Sequence, residues 1–247
     1  MARRRFVTIG LRRSGTTVTH LALKGHPNVS GLGDEVKVAP FFTDGLYTFT
    51  VGQRSEKERR LCYGALFDAI TMTKPRLGEA EESAIAANGL KVAIGTVKEA
   101  EALVAGLQTY FPEVKIVHVR RADAVARFAS LVLARTTGRW HSWTKGAAAD
   151  PVEAMRADPT EFEEFYRRTE AAHQRLAVLH SSHEVFPLSY ERDILDGAPA
   201  CYERAFGFLG VAPMPPTWLR SEKVAPPIDR IFSNVDELRD LERSWAG

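Results

Sequence analysis

The stretch FVTIGLRRSGTTVTHLALKGHP, Phe6 to Pro27, limits what this chain can fold into more than any other. Phe6–Ile9 reads as a short apolar strand, Gly10–Gly15 as a turn and Thr16–Lys24 as a helix. A phosphate-binding loop is built in this order, because the N–H groups of the turn and the positive end of the helix converge on one anion. Gly15 lets the backbone approach a ligand, Thr16 and Thr17 offer hydroxyls, and Arg12 and Arg13 supply charge. Ser14 belongs to the same cradle, or else only caps the helix. The nucleoside-triphosphate version of the loop wants Lys after its second Gly, and here Thr16 follows Gly15. The turn therefore suits an anion while departing from the triphosphate pattern.

The rest of the chain supplies the sheet for such a loop. Strand-like runs occur at Phe6–Ile9, Lys91–Ile94, Val114–Val119 and Glu184–Leu188. Helical periodicity covers Thr16–Lys24, Glu56–Met72, Glu79–Ala87, Lys98–Tyr110, Asp123–Thr137, Thr160–Ser181, Pro199–Leu209 and Val235–Trp245. Strands alternating with long helices predict a parallel sheet covered on both faces, a three-layer α/β/α domain containing a P-loop. In VKIVHVRR apolar residues fill most positions, as in a strand buried on both sides. One domain over 1–247 is expected, with irregular loops near 138–159 and 211–233, where Gly and Pro accumulate.

A net charge of +2 over 247 residues argues against nucleic-acid binding. The cations cluster, at Arg3–Arg5 with Arg12 and Arg13, and again at Arg120, Arg121 and Arg127, and this suits a small anionic ligand. The two cysteines, Cys62 and Cys201, have no ligand-like spacing and fit a reducing compartment. The apolar run after MARRR is too short for a signal peptide, and no run of about 18 apolar residues could span a membrane. A soluble cytoplasmic protein is expected, its oligomeric state open.

Kinase chemistry wants an acidic Mg²⁺ ligand, commonly an Asp ending another strand of the sheet. The strand KIVHV ends instead in Arg120 and Arg121, which suits a donor with a second phosphate and leaves no place for a metal. H-E-x-x-H, C-x-x-C and G-x-S-x-G are all missing from the sequence, so zinc and serine hydrolases find no support.

RRSGTT followed by a helix resembles the 5′-phosphosulfate loop of sulfotransferases that use 3′-phosphoadenosine 5′-phosphosulfate, with Arg13 as the cation before Ser-Gly-Thr-Thr. FPEVKIVHVRRADAVARFASL resembles the family's second element, where a strand ends in Arg and the next helix supplies a Ser for the 3′-phosphate. PLSYERDILDGAPACYERAFGFLGV resembles the segment whose Tyr lies near the adenine. The bacterial, carbohydrate-type branch is the nearest likeness. The resemblance implies donor contacts from Arg12, Arg13, Ser14, Gly15, Thr16, Thr17, Arg120, Ser130 and Tyr190. It also implies adenosine 3′,5′-bisphosphate as product and no metal. One departure stands out: the Ser usually lies eight residues after the Arg, and position 128 is Phe. Either Ser130 serves through a shifted helix, or Arg121 and Arg127 replace it.

Sulfuryl transfer requires deprotonation of the acceptor hydroxyl, an in-line SO₃ group and neutralisation of the leaving phosphate. Fixed cations and amides can supply the last, which is the role of Arg13 and the Gly15–Thr17 amides. The carbohydrate-type relatives imply a Glu base in SGLGDEVKV, hence Glu35, with Asp34 as its rival. Lys98 is a candidate for contact with the transferred group. His141, between Trp140 and Trp143, is the one histidine with an active-site candidacy, and the flanking rings suit a sugar or ring acceptor. Lys223 or Arg230 could reach the 3′-phosphate from the late loop. The acceptor is expected to be a carbohydrate or small metabolite. The rivals are a P-loop small-molecule kinase using ATP and Mg²⁺, and a non-catalytic nucleotide-binding protein.

Overall fold

A computed structural model describes residues 3–36, 56–72, 84–138, 153–196, 198–215 and 226–245. Its elements in chain order are β1 (Arg4–Leu11), α1 (Thr16–Lys24), β2 (Val29–Glu35), α2 (Glu56–Thr71), β3 (Ala87–Ile94), α3 (Val97–Tyr110), β4 (Lys115–Arg120), α4 (Ala124–Thr137), α5 (Pro159–Ala177), α6 (Leu179–Ser182), β5 (Val185–Ser189), a π-helical turn (Tyr190–Leu195), α7 (Ala198–Leu209), a 3₁₀ turn (Ile228–Arg230) and α8 (Val235–Trp245). The five strands form one parallel sheet in the order β2-β3-β1-β4-β5. Helices cover both faces, giving the three-layer α/β/α architecture.

Strand alternation sorts the side chains between the layers. Val7, Ile9, Leu90, Val92 and Ile116 pack with Tyr63 and Phe67 of α2, Leu103 and Leu107 of α3, and Leu176 of α5. Phe6, Val117, Val119 and Leu188 pack on the other face with Leu23 of α1 and with Tyr202, Phe206 and Leu209 of α7. A third cluster, around Phe128, Phe162, Phe232 and Leu238, joins α4, α5 and α8.

Local signals explain several boundaries. Helix α3 starts at a capping box, Thr96 Oγ1 accepting from the Glu99 amide while the Glu99 carboxylate accepts from Thr96 N. Helix α4 starts where the Asp123 carboxylate accepts from Ala126 N at 2.8 Å, and ends at Gly138 with φ +67°.

Two expectations need correction. Val29–Glu35, absent from the expected strands, is the edge strand β2. Its sequence, VSGLGDE, has neither alternation nor bulk. Gly31 sits opposite Gly89, where a Cβ on Gly31 would lie 2.8 Å from the Gly89 carbonyl oxygen, so close approach takes the place of side-chain packing. The helix expected over Glu79–Ala87 does not reach its end: Ala86 and Ala87 donate to the Asn28 carbonyl and lead into β3. Residues 79–83 lie outside the described set.

Candidate functional site

The carboxyl ends of β1, β3 and β4 meet at one edge of the sheet, where open α/β sheets hold their ligands. The turn after β1 is tightly constrained there. Arg13 has φ 68° and, among the described residues, is the one non-glycine with positive φ; Gly15 has φ 88° and forms the N-cap of α1. A Cβ on Gly15 would lie 2.6 Å from the Tyr190 ring, and one on Gly10 would lie 2.5 Å from the Val119 carbonyl oxygen. Glycine is thus required at both places, by a φ that L residues avoid at the first and by close approach at both. Ser14 makes no cap bond; its hydroxyl is fully buried and unpartnered.

The two arginines of the turn diverge. Arg12 is exposed and lies 3.6 Å from the Glu99 carboxylate at the start of α3. Arg13 turns toward α4, where its Nε donates to Ser130 Oγ at 2.9 Å. Burial is the largest influence on Arg13 and lowers its pKa; nearby Arg121 lowers it further and Tyr190 opposes both. Arg121 donates to the Arg13 carbonyl at 3.1 Å and stacks over the Tyr190 ring, 4.6 Å from its centroid, while its buried Nε has no partner. Glu191 follows Tyr190 and accepts from the amides of Ala122 and Asp123, tying the π-helical turn to the start of α4. Three separated segments, β1–α1, β4 through α4, and the π-helical turn, thereby converge on one small volume of positive charge.

Lys91, in the middle of β3, is 3 % exposed and donates from Nζ to Thr17 Oγ1 at 2.8 Å. An ammonium has donors only, so Thr17 must accept, and its own hydroxyl proton is left to point elsewhere. His20 lies below the loop. Its Nε2 bonds the Leu32 carbonyl at 3.0 Å, which fixes the proton on Nε2 and makes Nδ1 the acceptor for Thr8 Oγ1 at 3.1 Å. Burial holds its pKa down to about 3, so it is neutral and structural.

The structure brings Arg13, Ser14, Gly15, Thr16, Thr17, Ser130 and Tyr190 together. It does not bring Arg120 to them. Val117 and Val119 face α1, so alternation sends Arg121 to that side and Arg120 to the other, where its guanidinium lies 3.8 Å from Glu170 of α5. Arg127 is 2 % exposed, donates to Thr169 Oγ1 and stacks on Phe165, with Nε and Nη1 unpartnered; burial lowers its pKa to about 10. Lys98 is exposed in the first turn of α3 and Arg230 is exposed in the 3₁₀ turn. Glu35 ends β2 in register with Lys91, but its side chain, like that of Asp34, lies outside the described residues, as do His141 and Lys223.

Lys91 escaped the sequence reading, and Arg121 entered it only as an alternative to Ser130. A lysine amid apolar residues in LKVAI was the available signal for the first. For the second it was the parity of KIVHVRR, which puts only one of two adjacent arginines on the loop's side. Among the described residues no group of three or more His, Cys, Asp or Glu is arranged to hold a metal ion, and no helix is long and apolar enough to cross a membrane.

Comparison with known proteins gives one family: the sulfotransferase family model matches residues 6–212. No curated protein matches the chain. Among solved structures, a sulfotransferase from Alicyclobacillus acidocaldarius is 20 % identical, with 98 % of this chain and 97 % of that one covered and a TM-score of 0.49. The sulfotransferase domain of the Synechococcus PCC 7002 olefin synthase is 15 % identical over 96 % and 88 %, with a TM-score of 0.47. An unliganded sugar kinase from Janibacter sp. HTCC2649 is 14 % identical over 86 % and 97 %, with a TM-score of 0.38.

Proposed function

The chain belongs to the sulfotransferase family, and on that footing we propose that it moves a sulfuryl group from 3′-phosphoadenosine 5′-phosphosulfate to a hydroxyl of a carbohydrate or small metabolite, releasing adenosine 3′,5′-bisphosphate. One observation carries the reading. Buried donors without partners, Ser14 Oγ and Arg121 Nε, flank the Arg13–Ser130 hydrogen bond. Buried polar groups are normally satisfied, so two unpartnered donors beside the loop support a site completed by an anion. The residues fit a nucleotide phosphorylated at both ends, with the loop serving one end, and Arg121 and Ser130 the other.

The donor supplies the activated sulfuryl group; the chain supplies position and charge. The amides of Gly15 to Thr17 and the Thr17 hydroxyl cradle the 5′ end, with Lys91 fixing the Thr17 rotor. Arg13 stabilises charge growing on the leaving phosphate; its hydrogen bond to Ser130 holds it at the entrance until a ligand competes for both groups. Arg12 extends the positive rim of the loop. Tyr190 presents its ring beside Gly15 for the adenine. Glu35 takes the acceptor proton, and Lys98 and His141 serve the acceptor side. A buried free thiol at Cys201 supports a reducing, cytoplasmic setting.

The test compares thermal stabilisation by adenosine 3′,5′-bisphosphate, ADP and ATP, with and without Mg²⁺, followed by turnover of the phosphosulfate donor against a hydroxyl library. Stabilisation by the bisphosphate without Mg²⁺, with transfer to at least one hydroxyl, is expected. Preference for ATP with Mg²⁺ would point to a kinase, and binding without turnover to a non-catalytic protein.

A further inference from the structure

Behind Arg121 lies a second concavity, on the face of the sheet turned away from the loop. The end of β4, the entry to α4, and helices α5 and α8 surround an open cavity of about 840 Å³. Its wall carries two half-buried aromatic rings, Tyr166 and Trp245, with centroids 5.1 Å apart and planes tilted by 45°. Trp245 leans on Phe162 of the core at 5.7 Å, so packing holds the ring while it lines the cavity.

The polar lining is balanced. Arg120 and Arg167 stand against Glu170 and Glu242, and Gln174 adds an amide. Two cations and two carboxylates leave no net field to favour an anion, unlike the loop side. The Arg120–Glu170 pair is long, at 3.8 Å, and the Arg120 side chain is 58 % exposed, so both groups remain open to other hydrogen bonds. Glu242 spends one oxygen on the Ala124 amide at 3.0 Å, which fixes the direction of its carboxylate.

Guanidinium, carboxylate and amide are planar groups that pair donors or acceptors at the spacing of neighbouring hydroxyls, and an aromatic face takes the C–H face of a saturated ring. An aliphatic ligand would strip water from four charges without replacing its hydrogen bonds. We propose that this cavity binds an uncharged pyranose unit of a glycan. Arg120 and Ala122 line it while Arg121 between them serves the loop, so the two sites lie back to back. A glycan held there would be a ligand in addition to the acceptor, and its binding does not rest on the sulfotransferase reading.

The experiment is calorimetric titration of the full chain, without nucleotide, with maltotriose, cellotriose and chitotriose. At least one should bind with a dissociation constant of about 1 mM or tighter, insensitive to added salt. Arg120→Ala and Gln174→Ala should weaken it about five-fold or more at unchanged thermal midpoints, while adenosine 3′,5′-bisphosphate still binds them as it binds the parent chain. Trp245→Phe, which keeps a ring on Phe162, should weaken it less. No binding by any of the three sugars, equal binding by the variants, or salt-sensitive binding of glucose 6-sulfate in their place would overturn the proposal. Loss of bisphosphate binding by the parent chain would count against the sulfotransferase reading alone.

Discussion

Arg13 and Ser130 stand 117 positions apart and meet at 2.9 Å, the arginine Nε donating to the serine hydroxyl. The contact joins the turn after β1 to the middle of α4 and ties the charge of one proposed phosphate site to the hydroxyl of the other. Arg13→Ala should therefore lower turnover by about 10² to 10³-fold, the cost of losing one preorganised group that stabilises developing charge. The thermal midpoint should change little, because the side chain is only half-buried. Steady-state rates with saturating donor check this; near-normal turnover would remove Arg13 from the role assigned to it.

Gly15→Ala should perturb both loop and stability. It combines a left-handed φ with a Cβ 2.6 Å from the Tyr190 ring. The backbone cost alone is about 1–2 kcal/mol, which for a chain of this size lowers the midpoint by roughly 2–8 °C. Tyr190→Ala in the same chain should return the steric part of the loss and leave the backbone part. A double variant no more stable than Gly15→Ala would show that the ring is not the obstacle.

Lys91→Met keeps the length of the side chain and removes its donors. Methionine keeps the packing of the buried aliphatic stem, so the fold should persist. Thr17 would lose the partner that orients it, and kcat/KM for the donor should fall about ten-fold or more. Lys91→Arg and Lys91→Met failing equally, with no change in donor affinity, would make the lysine structural only.

Acid should destabilise the fold well before most carboxylates titrate. Burial, the largest cause in each case, lowers the pKa of His20 and His173 to about 3 and of His118 to about 4, from 6.5. His118 is also pressed by His180 and Arg120, and His173 by Arg127, Arg120 and His118. Because these folded-state values are depressed, the unfolded chain takes up protons below pH 6.5 that the folded chain refuses. Stability is complete above that pH and falls as pH drops toward 4, by about 1.4 kcal/mol per pH unit for each histidine. Urea midpoints between pH 7 and 4.5 measure the slope. His20→Gln, which keeps an amide where the imidazole bonds Leu32 and Thr8, should reduce it by about a third.

Much of this architecture was legible in the chain. Helices α1 and α8 begin and end where periodicity places them, and β1, β3, β4 and β5 fall on the apolar runs. The loop reads directly because its φ values and close approaches demand particular residues. β2 was hidden because a glycine-rich edge strand is specified by its neighbour's backbone, through Gly31 against Gly89, and not by a pattern of its own. Arg120 was ranked ahead of Arg121 because a resemblance locates a cation at a strand's end, whereas the pleat decides which of the two lies beside Arg13. Lys91 was missed because a buried lysine shows only when its acceptor, Thr17, 74 residues away, is in view.

The most direct measurement is the affinity of adenosine 3′,5′-bisphosphate, titrated in EDTA, for the parent chain and for Arg121→Ala and Arg120→Ala. The site described here predicts metal-free binding, weakened ten-fold or more by Arg121→Ala and changed less than two-fold by Arg120→Ala. Binding that requires Mg²⁺, or that survives loss of Arg121 and fails with loss of Arg120, would contradict it.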